Sequence, residues 1–300
     1  MNLKILIEFA INTISMGSLY ALIALGLVFV FGICQLVNFA YGEFFAVSAY
    51  ALYFLGTLTN LPWPLVFLFG ILAGVTIAFL CEVIAFRPFR ERSLDALLVT
   101  SFAVSVILQR VYQLAISPRS RAVPIPKFMN KTVTLFGVMT PMRNPLIVLT
   151  TVVLLIALLL LMKKTTLGIA MRGASENFTA ARLMGVPADL VILAAFVISG
   201  FLAGVVAIFI SARTGSVDPV VGSGPLLIGF IAVVIGGMHS LPGSVAGGYV
   251  YAVIANVLSL TLPTTMLSFR DAIMFAIVIA FLVLKPEGMI RGNYHEERVG

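Results

Sequence analysis

Apolar residues run along this chain in blocks near 20 residues, separated by short polar punctuation, over almost its whole length. The stretch PLIVLTTVVLLIALLLLM, Pro145 to Met162, shows the pattern: no charge and no alternation. A run of that length crosses the hydrocarbon core as a helix, because a helix satisfies its own backbone polar groups there. A barrel would show short alternating segments instead. The blocks predict helices near 10–31, 38–58, 62–85, 95–116, 144–162, 190–211, 225–238, 244–262 and 268–284. The first is long enough to hide a half-helix broken near Gly17. The seventh, bounded by DPVVGSGP and GGMHSLPG, reads as a short or re-entrant element that is tolerated only inside protein. The expected fold is an all-α polytopic membrane protein with eight to ten transmembrane helices, at least one short or broken, in a single domain over residues 1–300.

Composition supports this picture. Hydrophobic residues make up 61% of the chain and charged residues 10%, against about 25% charged in a soluble domain. Met1 to Phe31 lacks a basic region followed by a small-residue cleavage site, and its apolar run is too long for a signal peptide. Cys34 and Cys81 sit beside or within apolar runs and form neither a disulfide framework nor a metal cluster. Net charge is +7, but the basic residues fall in loops between spans. They read as topology signals, with the bilayer as the partner and no nucleic-acid contact.

Two basic loops set the orientation. RPFRERS, Arg87 to Ser93, carries three arginines and one glutamate; Lys163 to Arg182 carries four basic residues and one glutamate. Two spans separate them, so they share a side, and the positive-inside rule makes that side cytoplasmic. Residues 163–189 then form a cytoplasmic loop with a short helix, and residues 117–143 a long outward-facing loop. That outward segment holds five basic residues and no acid, which runs against the rule.

Few polar groups interrupt the spans. Glu43 follows Asn38 and Tyr41 at the start of the second run, and an ionisable group there is costly enough to be a functional candidate. A helix beginning near Asn38 puts Glu43 about 7.5 Å deep, in a structural hydrogen bond or on a substrate pathway. Gln109 and Arg110 lie toward the outer end of the fourth run, where arginine reaches headgroups or a vestibule. Asn256 is a helix–helix hydrogen-bond partner or a pathway residue. Gly236, Gly237 and Gly243 allow a tight turn in a broken helix, which either packs or exposes backbone to a pathway. His239 lies in that turn with no metal-ligating neighbours. The pairs Gly70/Gly74, Gly200/Gly204 and Gly243/Gly247 mark close helix packing or a moving interface.

The most polar helix-shaped passage is MRGASENFTAARLMGVPAD, Met171 to Asp189. Ser175 reads as its N-cap with Glu176 in the first turn, and Gly185 followed by Pro187 as its stop. Ala174, Phe178, Ala181 and Met184 form one narrow apolar face. A helix of about ten residues is marginal alone. It lies on the membrane or docks a cytoplasmic subunit. The chain has no phosphate-binding G-x-x-x-x-G-K-[ST] loop, so any ATP hydrolysis belongs to another polypeptide.

Three passages together resemble the permease subunits of bacterial ATP-binding-cassette importers for branched-chain amino acids, over nearly the full length. LVNFAYGEFFAVSAY, Leu36 to Tyr50, is similar to that family's N-F-A-H-G-E passage, with Tyr41 where histidine is common. RGASENFTAARLMGV, Arg172 to Val186, resembles its coupling loop, with Glu176, Ala181 and Gly185 on the wider pattern. AVVIGGMHSLPGSVAGGYV, Ala232 to Val250, resembles its glycine-rich passage, with His239 in place of the third glycine.

The resemblance implies the importer permease fold in a bacterial inner membrane. It implies a related second permease in a heterodimer, two cytoplasmic ATP-binding subunits and an extracytoplasmic binding protein. ATP and Mg would be used by the partner subunits, with no cofactor or metal on this chain and no enzymatic step. Arg172, Glu176, Phe178, Ala181 and Gly185 would seat on the ATPase. Asn38, Tyr41, Glu43, Gly236, Gly237, His239, Gly243 and Asn256 are the candidates for pathway or gate. A permease for urea or short amides and a stand-alone secondary transporter or channel remain as alternatives.

Overall fold

A computed structural model of the protein describes residues 3–34, 37–90, 94–135, 137–176, 178–238, 240–285 and 288–290. Each of the nine apolar runs forms a helix. They are α1 (Leu3–Cys34), α2 (Tyr41–Leu58), α3 (Trp63–Leu80), α4 (Leu94–Ala115), α6 (Arg143–Lys164), α9 (Ala188–Thr214), α10 (Ser223–Gly236), α11 (Leu241–Thr261) and α12 (Arg270–Leu284). Beyond its α-helical part, α3 continues through a π-helical turn, Cys81–Phe86, and a 3-10 turn, Arg87–Phe89. A further 3-10 turn, Thr264–Phe269, leads into α12. Among the described residues, six helices are long and apolar enough to cross a bilayer, by length and composition. The chain is an all-α multi-pass membrane protein, as the run lengths predict. The shorter helices are α10, with 14 residues, and α12, with 15.

The central pillars are α1 and α9. In α1, 78% of the most apolar window is buried, and in α9 72%, against 22% in α4 and 17% in α6. Large apolar side chains on α4 and α6, such as Phe102, Ile107, Leu149 and Ile156, stay exposed. In water such a surface would be an anomaly; on a membrane bundle it is the lipid-facing wall.

One expectation changes here. Gly17 does not break the first helix, which runs continuously from Leu3 to Cys34. Its missing side chain instead makes room for the Tyr249 ring of α11, and Ser18 next to it shares a 2.7 Å hydrogen bond with the Tyr249 hydroxyl. The glycine pairs act in the same way. A Cβ on Gly200 would lie 2.6 Å from the Gly74 carbonyl oxygen, so the backbones of α3 and α9 touch. The start of α10 is also unusual. A Cβ on Gly222, just before it, would fall 1.9 Å from the oxygen of Gly42 in the first turn of α2. Two helix starts thus meet backbone to backbone in the bundle interior, and only glycine fits between them.

Small elements finish the two ends. The segment after α4 holds strand β1 (Arg121–Ala122), a single helical turn α5 (Lys127–Asn130), and a hairpin of β2 (Thr132–Leu135) and β3 (Val138–Pro141). β1 pairs antiparallel with β4 (Ser216–Val217), which follows α9. At the far end of α6, helices α7 (Thr166–Glu176) and α8 (Phe178–Leu183) lead into α9. The hairpin and the α7–α8 pair are joined by the 22 residues of α6, about 33 Å of helix, so they lie on opposite faces.

Candidate functional site

The passage expected to hold one short helix holds two. α7 starts nine residues before the expected N-cap, at Thr166. The Thr165 hydroxyl caps it by accepting from the Gly168 amide at 3.0 Å. Gly168 is required where α6 turns into α7, because a Cβ there would lie 2.2 Å from the Leu161 carbonyl oxygen. Ser175 therefore falls in the last turn, where its hydroxyl donates to the Arg172 carbonyl at 2.8 Å and caps nothing. Met171 and Ala174 bury against the bundle, while Arg172 and Glu176 are exposed.

α8 ends as its sequence predicts. Gly185 has φ +84. The Val186 amide donates to the Ala181 carbonyl and the Gly185 amide to that of Arg182, a paired closure around a left-handed residue. Ala181 faces inward at 7% exposure, while Leu183 and Met184 stand at 84% and 85%. The expected apolar face thus splits, with Ala174 and Ala181 on the bundle and Met184 in the open. The side chain of Phe178 lies outside the described residues.

A four-residue ion cluster ties this loop to the membrane helices. Asp189, at the start of α9, accepts from Arg87 at 2.8 Å and from Arg90 at 2.6 Å. Arg90 also pairs with Glu82, a carboxylate only 2% exposed on the π-helical turn after α3. The two basic loops therefore meet on one face, as the charge pattern requires. The cluster was not visible in the sequence because Glu82 and Asp189 are brought together only by the α3–α9 contact.

The Asn38–Glu43 turn is a second, buried place. Asn38 is 1% exposed; its Oδ1 accepts from the Ala40 amide at 3.0 Å and its Nδ2 has no partner. Tyr41 is fully buried, donates its hydroxyl to the Ile23 carbonyl at 3.2 Å and packs edge-on against Phe44 and Phe45. Glu43 is 2% exposed, and its Oε1 accepts from Ser105 and Gln109 of α4, each at 2.9 Å. Its other oxygen has no partner. Ser105 lies eleven residues into α4, about 16 Å from that helix's start. Glu43 is thus deeper than a helix start at Asn38 suggested. Gln109 points inward to it and not to a vestibule, while Arg110 stays exposed and donates to Gln113 at 2.8 Å.

The remaining candidates do not join this turn. Gly236, Gly237 and Gly243 form the tight junction of α10 and α11, where a Cβ on Gly236 would sit 2.0 Å from the Gly243 oxygen and Gly237 has φ +109. The amides of Met289 and Ile290 close the end of α10 by donating to the carbonyls of Ile235 and Gly236. His239 lies outside the described residues. Asn256 is near the other end of α11 and donates to Thr13 of α1 at 3.0 Å. It borders a cavity of about 260 Å³ with Tyr20, Arg213 and Arg270. Sequence reasoning missed those three, since each reads alone as a residue flanking a span. Among the described residues, no group of three or more His, Cys, Asp and Glu could hold a metal ion.

A lipid-walled helical bundle with interior glycine contacts, a tethered helix pair at one face and a small, mainly apolar cavity bordered by two arginines toward the other is the build of a polytopic membrane permease. The sequence profile of the family described as branched-chain amino acid transport system / permease component matches residues 9–282, and the chain belongs to that family. It is 29% identical to the high-affinity branched-chain amino acid transport system permease protein LivH of Salmonella typhimurium, over 96% of each chain. It is 28% identical to the permease protein BraD of the corresponding system in Pseudomonas aeruginosa, again over 96% of each. A probable LivH of Methanocaldococcus jannaschii is 30% identical over 91% of this chain and 89% of its own. The protein is a multi-pass transport permease subunit of the inner membrane, a class that performs no catalysis.

Proposed function

We propose that the chain forms half of the translocation pore of an ATP-driven importer for branched-chain amino acids. A related permease supplies the other half, two ATP-binding subunits dock on the α7–α8 face, and a binding protein delivers the amino acid from the opposite side. ATP and magnesium act in the partner subunits. This chain's part is mechanical: it opens outward to receive the amino acid and inward to release it. Family membership and the names of the full-length relatives support the cargo and the assembly.

The observation that carries the docking assignment is the tip of α8. Leu183 and Met184 stand almost fully exposed beside the left-handed Gly185, while Ala181 just before them packs on the bundle. A force on α8 reaches the membrane by two routes. One is the chain itself, since α9 begins three residues after Gly185 and runs through the core. The other is the Asp189 cluster, which links the same point to the end of α3.

Burying an exposed Leu or Met side chain contributes about 1.5–3 kcal/mol. The double variant Leu183→Asp/Met184→Asp is therefore expected to weaken docking by roughly a hundredfold or more. Co-purification with the ATP-binding subunits should fall while insertion in the membrane persists. Undiminished complex and substrate-stimulated ATP hydrolysis would overturn the assignment. Ion-coupled leucine flux by this chain alone in liposomes would overturn the importer reading as a whole.

A further inference from the structure

The cavity bordered by α1, α9, α10, α11 and α12 has a chemistry that its position in a helix bundle does not require. Its volume is about 260 Å³, small even against ordinary ligand pockets. Two guanidinium groups border it, Arg213 from the last turn of α9 and Arg270 from the first of α12, and among the described residues no carboxylate does. Among the described residues no acid lies within ion-pair distance of Arg213. Arg270 donates to Ser259 at 3.2 Å, and its contact with Asp271 is long, 3.4 Å, on a side chain 76% exposed. Arg213 therefore carries its charge at this cavity with no acid partner among the described residues, while Arg270 keeps a long, solvent-exposed pair with Asp271.

The rest of the lining divides in two. Asn256 commits its Nδ2 to Thr13, which leaves its Oδ1 as an acceptor, and Tyr20 adds a hydroxyl. Ile23, Ile210, Ile228 and the alanines of α11 supply an aliphatic wall. A charged fork, a neutral acceptor and an apolar wall in one small volume match the three parts of an aliphatic amino acid: carboxylate, ammonium and side chain. Arginine favours the first because its planar donors fit a carboxylate in pairs. The location agrees. Arg213 is 24 residues along α9 from Asp189 of the docking face, in one continuous helix, about 36 Å away.

We infer that this cavity is the site at which the permease receives the amino acid on its outward side, with Arg213 and Arg270 binding the carboxylate. The inference rests on the proposed import of branched-chain amino acids and on the α7–α8 face being cytoplasmic. Arg213 and Arg270 recognise the substrate, Asn256 accepts from its ammonium, and the aliphatic wall selects against polar side chains.

The test uses the complete importer reconstituted in nanodiscs, with labelled leucine as the probe. Arg213→Gln and Arg270→Gln are each expected to raise the KM for leucine by roughly tenfold or more. Direct leucine binding, measured without the binding protein, should fall in parallel. Arg213→Lys keeps the charge without the fork and should lie between. Leucinamide keeps the ammonium and the side chain but lacks the carboxylate. On the unaltered complex it should fail to compete with leucine, a readout that needs no variant to fold.

Assembled variants with unchanged leucine KM and binding would overturn the inference, as would full competition by leucinamide. A defect that vanishes at high concentrations of binding protein, with direct leucine binding intact, would assign the arginines to docking that protein instead. A defect seen in phosphatidylglycerol discs and absent in phosphatidylcholine discs would assign them to lipid phosphate. If the unaltered complex moves urea or amides and no amino acid, the proposed function itself fails. If it moves leucine and the variants do as well, only this inference does.

Discussion

Glu43 is a carboxylate in the interior of a membrane bundle, and its surroundings explain how it is tolerated. It sits in the first turn of α2, where the helix's positive end favours negative charge. Ser105 and Gln109 both donate to one of its oxygens. Glu43→Ala would remove the acceptor from both, leaving the buried Ser105 hydroxyl without it and Gln109 with only its 3.2 Å bond to Ser105, at a cost of about 1–3 kcal/mol, and should lower the melting temperature of the detergent-solubilised protein. Glu43→Gln keeps an oxygen acceptor in place and should melt close to the unaltered protein. If the glutamine variant is as unstable as the alanine variant, the charge and not the acceptor is what α4 requires. That Glu43 is special was legible from its place in an apolar run. Its depth and its partners were not, because they depend on α2 starting three residues later than Asn38 and lying against the middle of α4.

The helix pair α7–α8 shows which local signals survive folding. The stop at Gly185 was readable because a left-handed residue followed by proline closes a helix through backbone geometry alone. The start was misplaced because two signals competed. Ser175 followed by Glu176 looks like a cap, but Thr165 comes first, directly after the lysines that end α6, and captures the first free amide. The ion cluster that anchors this pair offers a graded test. Arg90→Met would strand the buried Glu82 carboxylate and should cost about 3–5 kcal/mol. Asp189→Asn removes a carboxylate 60% exposed and should cost about 1 kcal/mol or less, with a smaller effect at high salt. Chemical denaturation in detergent measures both. In the double variant Glu82→Gln/Arg90→Met most of the loss should be recovered. Equal effects of Arg90→Met and Asp189→Asn would mean that Glu82 is solvated and that the cluster is not the anchor.

The bundle as a whole makes one claim that reaches beyond any single contact. The α7–α8 pair and the β2–β3 hairpin lie on opposite faces, and the charge pattern predicts that the first is cytoplasmic. Single cysteines at Met139, 77% exposed on the hairpin, and at Leu183, 84% exposed at the tip of α8, should report this in a background lacking Cys34 and Cys81. An impermeant maleimide should label Met139→Cys in intact cells and Leu183→Cys only after permeabilisation. The reverse pattern would invert the protein. The order of helices, their approximate ends, the shared side of the two basic loops and the close packing of the glycine pairs could all be read along the chain. Each depends on residues within one run, or on a rule that holds for every membrane helix. The meeting of Gly42 with Gly222, the joining of Glu82 to Asp189 through Arg90, and the convergence of Tyr20, Arg213, Asn256 and Arg270 on one cavity could not. Gly42 and Gly222, Glu82 and Asp189, and Tyr20 and Arg213 each lie many tens of positions apart, and their proximity is a property of how long helices cross, which one-dimensional periodicity does not encode.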